Sequence, residues 1–181
     1  MEKRTIGKSG IEASVFALGC MPLGGGSGWG QEDEREGIET IHAALDLGIT
    51  ILDTAESYNS GRSEEIVGKA LVGKRDKVVL ATKISPANAE PHTLRQHCEA
   101  SLRRLQTDYV DLYQVHWPIR DHSIPDAFAT LLELKAEGKI RAIGVSNHGP
   151  KDLAEVLATG GPIVSDKLHY NLVSRAIEEE I

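Results

Sequence analysis

The chain has 181 residues, of which 40% are hydrophobic and 26% charged, a composition that is typical of a globular domain with one sizeable core. Its formal net charge of −7 argues against a nucleic-acid partner, because a phosphate-binding surface needs clustered lysines and arginines. The first residues lead into no signal-peptide segment, and no apolar run is long enough to span a bilayer. Cys20 and Cys98 are expected to be reduced thiols, so we expect a cytoplasmic protein with no membrane partner.

Hydrophobic periodicity predicts a small β-hairpin over residues 4–16, followed by strands and helices in strict alternation. Helix starts are indicated by acidic, hydroxyl or proline residues; Ser63, for example, is predicted to cap the second helix. The predicted strands are 15–20, 49–52, 78–82, 110–115, 140–145 and 163–172, and the predicted helices are 33–47, 63–71, 93–105, 123–137, 150–158 and, at the end, 175–181.

The spacing of the strand ends indicates the fold class. They fall at Cys20, Asp53, Lys83, His116 and Ser146, in steps of 33, 30, 33 and 30 residues. Strict alternation implies parallel strands with right-handed crossovers, and a unit of about 30 residues is what a (β/α)8 TIM barrel of about 250 residues requires. A doubly wound sheet is the alternative, but no Gly-x-Gly-x-x-Gly turn follows any strand.

Six predicted strands account for about six of the eight βα units of such a barrel. A six-stranded arc by itself would leave two open edges and an unfilled interior. We therefore expect residues 1–181 to form a single incomplete TIM-barrel domain, with the hairpin at 4–16 and βα units 1–6 from 15 to 181. The remaining segment is expected to follow in the same chain or to come from a separate polypeptide.

Polar residues stand where the strands end, and in a barrel of this kind all carboxyl ends face one mouth. Taken singly, each has an ordinary explanation. Asp53 suits a core carboxylate met by backbone donors, Lys83 a snorkelling side chain, Tyr58 a surface cover and His116 a structural histidine. Their occurrence together on three adjacent strand ends favours a functional cluster.

This combination has a definite chemical use. A buried ammonium (Lys83) beside a phenol (Tyr58) is expected to lower the phenol pKa from about 10. A carboxylate (Asp53) would hold that ammonium charged and in place, and an imidazole (His116) would orient the substrate oxygen or share the proton. Such a cluster protonates an oxygen on which negative charge develops, as carbonyl reduction by hydride requires.

Other kinds of site have little support. None of the seven histidines stands at metal-ligand spacing with another ligand on a shared helix face, so no metal is expected. Neither a Gly-x-Ser-x-Gly nucleophile motif nor a P-loop occurs. The run Gly24–Gly26 does not open directly onto a helix, so we interpret it as a flexible loop.

Several independent motifs occur in an order that resembles the aldo-keto reductase superfamily over the whole chain. They are Ala17–Met21, Asp53–Tyr58 (DTAESY), Ala81–Lys83, Asp111–Pro118 (DLYQVHWP), Gly138–Asn147 (GKIRAIGVSN) and Tyr170–Leu172.

The resemblance implies a carbonyl (aldehyde or ketone) reductase that acts on a small molecule and uses NADPH, with NADH possible, on a barrel without a Rossmann domain. It implies Tyr58 as general acid, Lys83 and Asp53 as its tuning pair, and His116 as the residue that steers the carbonyl. Residues implied in cofactor binding are Ser146, Asn147, Asp53, Gly19, Cys20, Met21 and Lys167, and those implied in substrate binding are Trp117 and Trp29.

One position departs from the family pattern. Lys167 stands where the family usually carries a glutamine, three residues before Tyr170. A cation beside the nicotinamide would disfavour its oxidised, positively charged ring. Either that contact differs here or Lys167 turns away from the site.

Two alternative functions remain open from the sequence. The first is a non-catalytic or regulatory nucleotide-binding subunit, because potassium-channel β-subunits have the same fold and a similar tetrad. The second is an inert fragment, because the family's phosphate-binding residues and a ring-stacking aromatic would lie beyond Ile181.

Overall fold

A computed structural model describes residues 1–26, 28–31 and 33–181. The chain begins with an antiparallel hairpin of two strands, β1 (Lys3–Thr5) and β2 (Glu12–Ser14), in which Lys3 pairs with Ser14. The hairpin predicted at the N-terminus is therefore confirmed.

The rest of the chain forms one parallel sheet of six strands with helices between them. The strands lie side by side in chain order, each hydrogen-bonded to the next, so the predicted alternation is confirmed. The strands are β3 (Ala17–Gly19), β4 (Ile51–Asp53), β5 (Val79–Ile84), β6 (Val110–Val115), β7 (Ile140–Ser146) and β8 (Ile163–Lys167), and the α-helices are α1 (Glu34–Asp46), α2 (Arg62–Ala70), α3 (Pro91–Leu105), α4 (Ile124–Ala136), α5 (Pro150–Leu157) and α6 (Ile177–Glu180).

Side-chain caps explain where several helices begin. Asp33 accepts a hydrogen bond from the backbone N–H of Glu36, and Ser123 accepts one from that of Asp126, so both predicted starts are confirmed. The prediction for Ser63 is wrong: the helix begins at Arg62, and Gly61 precedes it at a φ of 91°. The Ser63 hydroxyl donates instead to the carbonyl of Cys20 at 2.7 Å, tying α2 to the end of β3.

The strand register aligns the polar residues along one edge of the sheet. Asp53 on β4 pairs with Gly19 on β3, Lys83 on β5 pairs with Gln114 on β6, and Ser146 on β7 pairs with Lys167 on β8. Side chains in a strand alternate between the two faces, so aligned residues at these ends share the concave face. The register therefore brings distant parts of the chain to one mouth.

Apolar side chains fill both sides of the sheet. A large cluster lies between the convex face and the helices, with Leu80, Tyr113 and Ile143 among its buried members. A smaller cluster on the concave face joins Ala81 and Leu112 to Ile11 of the hairpin. The hairpin therefore closes the floor below the mouth.

Two predictions at the end of the chain are too long. The sixth parallel strand ends at Lys167 rather than continuing to Leu172, whose side chain is almost fully exposed. The final helix covers Ile177–Glu180 rather than 175–181. Among the described residues, no helix has both the length and the hydropathy needed to cross a membrane.

Candidate active site

Lys83 is the buried centre of the site. Its side chain is 1% exposed, and its ammonium donates to Oδ2 of Asp53 at 2.9 Å and to the carbonyl of Thr54 at 2.6 Å. A buried ammonium is stable only when such partners replace its lost hydration. The end of β4 therefore supplies two partners to Lys83 of β5, a charged carboxylate and a carbonyl dipole.

Tyr58 and His116 complete the cluster. The phenolic oxygen of Tyr58 lies 3.2 Å from Nζ of Lys83, and the ammonium also lies 4.8 Å from the centre of the phenol ring. The rings of Tyr58 and His116 meet edge to face, with centroids 5.6 Å apart and planes at 77°. The structure thus brings together the four side chains that the sequence singled out.

Electrostatics in the cluster are dominated by burial and by Asp53. Burial lowers the pKa of Lys83, and the charge of Asp53 opposes that change. Burial alone would raise the pKa of Asp53, but Lys83 and Lys167 outweigh it and hold that pKa below the usual value. Burial and Lys83 lower the pKa of His116 to about 4, so its imidazole is neutral at pH 7.

The phenol differs from the expectation. We expected the neighbouring ammonium to lower the pKa of Tyr58, but burial raises this pKa, and the Asp53 carboxylate raises it further. The charge of Lys167 acts in the opposite direction and lowers it. The Asp53 carboxylate holds Lys83, but it also disfavours the phenolate. The Tyr58 phenol is therefore protonated at neutral pH.

Lys167 does not turn away from the site. Its ammonium contacts Oδ2 of Asp53, the oxygen that also binds Lys83, although the Lys167 side chain is 49% exposed. Its backbone carbonyl accepts hydrogen bonds from the Ser146 hydroxyl at 3.0 Å and from the backbone N–H of Asn147 at 3.0 Å. Both the side chain and the backbone of Lys167 therefore organise the mouth.

Asn147 links the ends of β6 and β7. It has a φ of 61°, and its side-chain amide donates to the carbonyl of His116 at 2.9 Å and to the Ser146 hydroxyl at 3.1 Å. Asn is among the few residues that adopt this left-handed conformation readily. The pair Ser146–Asn147 is thus fixed beside His116.

Three cavities open around the cluster. The remaining residues predicted to bind cofactor or substrate are divided among the linings of these cavities. The largest, about 460 Å³, lies on the concave face and includes Gly19, Asp53 and Lys167 in its lining. A second, of about 300 Å³, is lined by Tyr58 together with Met21 and Trp29, and a third, of about 360 Å³, by Trp117 and Asn147. Trp117 also stacks on His116, with ring centroids 6.4 Å apart. The Cys20 side chain is fully buried, which leaves only its backbone for a ligand.

Sequence reasoning missed two residues that contact the cluster. Gln114 donates to Oδ1 of Asp53 at 3.3 Å, and the Ser57 hydroxyl lies 3.4 Å from Nδ1 of His116. Gln114 stands two residues before His116 in a buried strand, so the two-residue period already placed its side chain on the same face. Ser57 lies in a loop, where no such period applies.

Glu56 was also missed, and it holds the loop that carries Tyr58. Its buried carboxylate accepts hydrogen bonds from the backbone N–H of Ser85 and from the side-chain amide of Asn88, both at 2.9 Å, and pairs with His97 at 2.7 Å. These partners lie just after β5 and on α3. The loop is therefore anchored to elements outside the cluster.

In the part of the chain that the structure describes, there is neither a cluster of metal ligands nor an accessible thiol. No group of three or more potential ligands stands at metal-binding distance among those residues. Cys20 and Cys98 are free and buried, and burial raises the pKa of each thiol to about 12.

The chain was compared with proteins of known sequence and structure. The aldo/keto reductase family matches residues 16–181. The aldo-keto reductase YhdN of Bacillus subtilis is 46% identical over 100% of this chain and 57% of its own length. The NADH-specific methylglyoxal reductase of Escherichia coli is 38% identical over 100% of this chain and 62% of its own length.

Solved structures agree with this result. The holo form of aldo-keto reductase AKR11C1 from Bacillus halodurans superposes with a TM-score of 0.89 at 38% identity, covering 99% of this chain and 61% of that one. An aldo-keto reductase from Klebsiella pneumoniae in complex with NADPH gives 0.87 at 35% identity, covering 99% and 63%. The chain spans about three fifths of the length of these relatives, and its six-stranded sheet is part of a (β/α)8 barrel. The chain belongs to the aldo/keto reductase family.

Proposed function

We propose that the complete protein reduces small aldehydes or ketones with NADPH or NADH, and that Tyr58 is the proton donor. The observation that carries the proposal is the distance of 3.2 Å between the Tyr58 oxygen and the Lys83 ammonium, which Asp53 and Thr54 fix in place. The relatives support this reaction class, since they include an NADH-specific methylglyoxal reductase and an enzyme solved with NADPH.

The described residues fit a nicotinamide group at the mouth. The side-chain oxygen of Asn147 accepts no hydrogen bond from any residue in the described ranges, so it is available to a carboxamide N–H. Gly19 borders the 460 Å³ cavity, and a Cβ added there would meet no atom within 4 Å, which leaves room for a flat ring. When bound, the reduced cofactor supplies the hydride for the carbonyl carbon.

The side chains then divide the work of handling the proton. The substrate oxygen gains negative charge as its carbon is reduced, and Tyr58 transfers its phenolic proton to that oxygen. The Lys83 ammonium stabilises the phenolate that remains, because its charge lies beside the phenol oxygen. Asp53 keeps Lys83 charged during this step.

His116 positions the substrate oxygen as a neutral group. With its pKa lowered to about 4, the ring has one N–H and one acceptor nitrogen at pH 7. In the tautomer in which Nδ1 accepts from the Ser57 hydroxyl, Nε2–H is left to donate to the carbonyl oxygen. The imidazole then orients the carbonyl without competing with Tyr58 as the acid.

The test is a comparison of two Tyr→Phe variants of the complete protein. Tyr58→Phe is expected to lower kcat for a generic aldehyde by about 10²–10⁴-fold, the usual contribution of a general acid, while the cofactor Kd changes little. Tyr113→Phe is the matched control, because the buried Tyr113 hydroxyl has no partner among the described residues and lies in the core. Turnover by Tyr58→Phe that equals that of Tyr113→Phe would refute the proposal.

A further inference from the structure

Two lysines share one carboxylate at the mouth. Lys83 from β5 and Lys167 from β8 both contact Oδ2 of Asp53, while Gln114 donates to Oδ1. Asp53 carries one negative charge and can balance only one of the two ammonium groups. The cluster of these three charged side chains therefore carries one unit of positive charge in excess.

Nearby titratable groups do not remove this excess. His116 is neutral at pH 7, because its pKa is about 4, and the Cys20 thiol is neutral, because its pKa is about 12. Neutral groups contribute no balancing charge. The excess at the Asp53 cluster therefore persists through the neutral range.

Glu64 and Glu56, whose charges act on Lys83 and His116, bind other partners. Glu64 binds Arg104 at 2.7 Å and accepts a hydrogen bond from Thr82 at 2.6 Å. Glu56 pairs with His97 at 2.7 Å, on the side of the loop toward α3. Both acids thus belong to separate pairs behind the mouth.

The two lysines differ in their surroundings. Lys83 is 1% exposed and is also held by the carbonyl of Thr54, whereas the Lys167 side chain is 49% exposed and lines the 460 Å³ cavity. The additional charge is therefore presented to the space in which a ligand would lie, and its removal would not leave Asp53 without a cation.

We propose that Lys167 makes the site discriminate between the two redox forms of the nicotinamide cofactor, weakening the oxidised form relative to the reduced form. The inference rests on the proposed function, since it takes nicotinamide as the hydride donor. The oxidised ring carries a positive charge and the reduced ring carries none. A donor that serves a carbonyl at Tyr58 must lie within a few ångströms of that carbonyl, and so near the excess charge.

Discrimination of this kind has a direct consequence for turnover. When the carbonyl is reduced, the neutral ring of the cofactor is oxidised to a cationic one beside the Lys167 ammonium, so the oxidised cofactor is released more readily than the reduced cofactor. The oxidised cofactor then competes less with the reduced cofactor for the site, because the site binds the reduced form in preference.

The experiment measures Kd for NADP⁺ and for NADPH with the complete protein, by fluorescence titration without a carbonyl substrate. Their ratio cancels the contribution of the adenosine phosphates, which both forms share. In Lys167→Gln the ratio Kd(NADP⁺)/Kd(NADPH) is expected to fall on the order of tenfold, as expected for unit charges roughly 10 Å apart at an effective dielectric of about 20. Lys167→Arg keeps the charge, so its ratio should stay within about twofold of the wild-type ratio. The measurement must therefore resolve a change of about twofold.

Lys8→Gln is the control for loss of one positive charge elsewhere. Lys8 is exposed in the turn of the N-terminal hairpin, which lies beside the starts of β4 and β5, at the end opposite the mouth, and its removal should leave the ratio unchanged. A ratio in Lys167→Gln that stays within twofold of wild type would overturn the inference and leave the proposed function intact. Failure of the wild-type protein to bind either form would refute both.

Salt provides a second readout that does not depend on any variant. Because Lys167 is half exposed, its charge is screened, and the wild-type ratio should fall as NaCl is raised from about 0.05 to 0.5 M. The ratio of Lys167→Gln should respond much less. An equal response in both proteins would contradict the role of Lys167.

Discussion

The phenolic oxygen of Tyr58 lies 3.2 Å from the Nζ atom of Lys83, although the two residues belong to different βα units. The contact depends on two separate features: the ion pair of Lys83 with Asp53, and the loop after β4 that carries Tyr58. Variants that remove one feature at a time should therefore separate the stability of the site from its chemistry.

The two members of the buried ion pair should differ in their effect on stability. Asp53→Asn leaves the 1% exposed Lys83 ammonium without its carboxylate, which is expected to lower the free energy of unfolding by about 3–5 kcal/mol. Lys83→Met should lower it by less than about half as much, because Asp53 keeps Lys167 and Gln114 as partners. Urea denaturation measures both values, and equal losses would show that Lys167 does not support Asp53.

The neutral state of His116 should make stability depend on pH. Below its ordinary pKa of 6.5 the unfolded chain takes up a proton that the folded protein does not bind until about pH 4. The unfolded state therefore binds more protons in this interval, and the free energy of unfolding falls as the pH is lowered from 6.5 to 4. Asp53, whose pKa is held below 3.8, loses its stabilising effect only at lower pH.

Thermal denaturation at a series of pH values tests this dependence. In His116→Gln the fall in Tm between pH 6.5 and 4 should be smaller than in the wild type, since the group responsible is absent. His92→Gln serves as the control, because His92 is exposed in the first turn of α3. A pH profile of His116→Gln that is parallel to the wild-type profile would rule out the neutral, half-buried imidazole.

The two thiols should be unreactive in the folded protein. Cys20 and Cys98 are fully buried and their pKa values are raised to about 12, so almost no thiolate is present at pH 8. Iodoacetamide at pH 8 is expected to add to neither thiol in buffer and to both in concentrated urea. Mass spectrometry counts the adducts, and rapid modification of either cysteine in buffer would contradict the burial.

Gly68 on α2 is expected to resist substitution despite its helical position. A Cβ at this residue would lie 2.5 Å from the carbonyl oxygen of Arg104 and 2.8 Å from the carbonyl carbon of Leu105, both backbone atoms of α3. Gly68→Ala should therefore destabilise the protein by about 1–3 kcal/mol, even though alanine favours a helix by roughly 1 kcal/mol.

Gly73→Ala is a comparison for the contact at Gly68. Gly73 has a φ of +70° and no neighbour within 4 Å of an added Cβ, so only backbone strain of about 1–2 kcal/mol is expected there. In chemical denaturation, Gly68→Ala should lower the denaturant concentration at the midpoint of unfolding. A shift close to zero would mean that α2 and α3 are less closely packed than described.

Local signals in the sequence were enough to predict the order of the elements and the mouth of the barrel. Strand ends every 30 to 33 residues and the two-residue period placed Asp53, Lys83 and His116 at one edge. Helix starts were predictable where a side chain makes the cap, as at Ser123, but not at Gly61, where the backbone conformation alone begins the helix. Such starts leave no side-chain pattern to read.

Long-range contacts were not predictable, because they depend on which side chains meet in three dimensions. The contact of Lys167 with Asp53 joins residues 114 positions apart. The pKa of Tyr58 was expected to fall, but it rises, because the burial of the phenol and the nearby Asp53 charge outweigh the charge of Lys167. The sequence identifies the charged groups, but only their packing decides whether burial or a neighbouring charge has the larger effect on a pKa.

The anchoring of Glu56 by Ser85, Asn88 and His97 gives the loop after β4 a second attachment that does not involve the ion pair. The loop that carries the phenol is thus clamped to the segment after β5 and to α3 from behind. A substitution at Lys83 can then remove charge from the phenol without releasing the loop. Evolution can adjust the acidity of the phenol and the placement of its loop in separate steps.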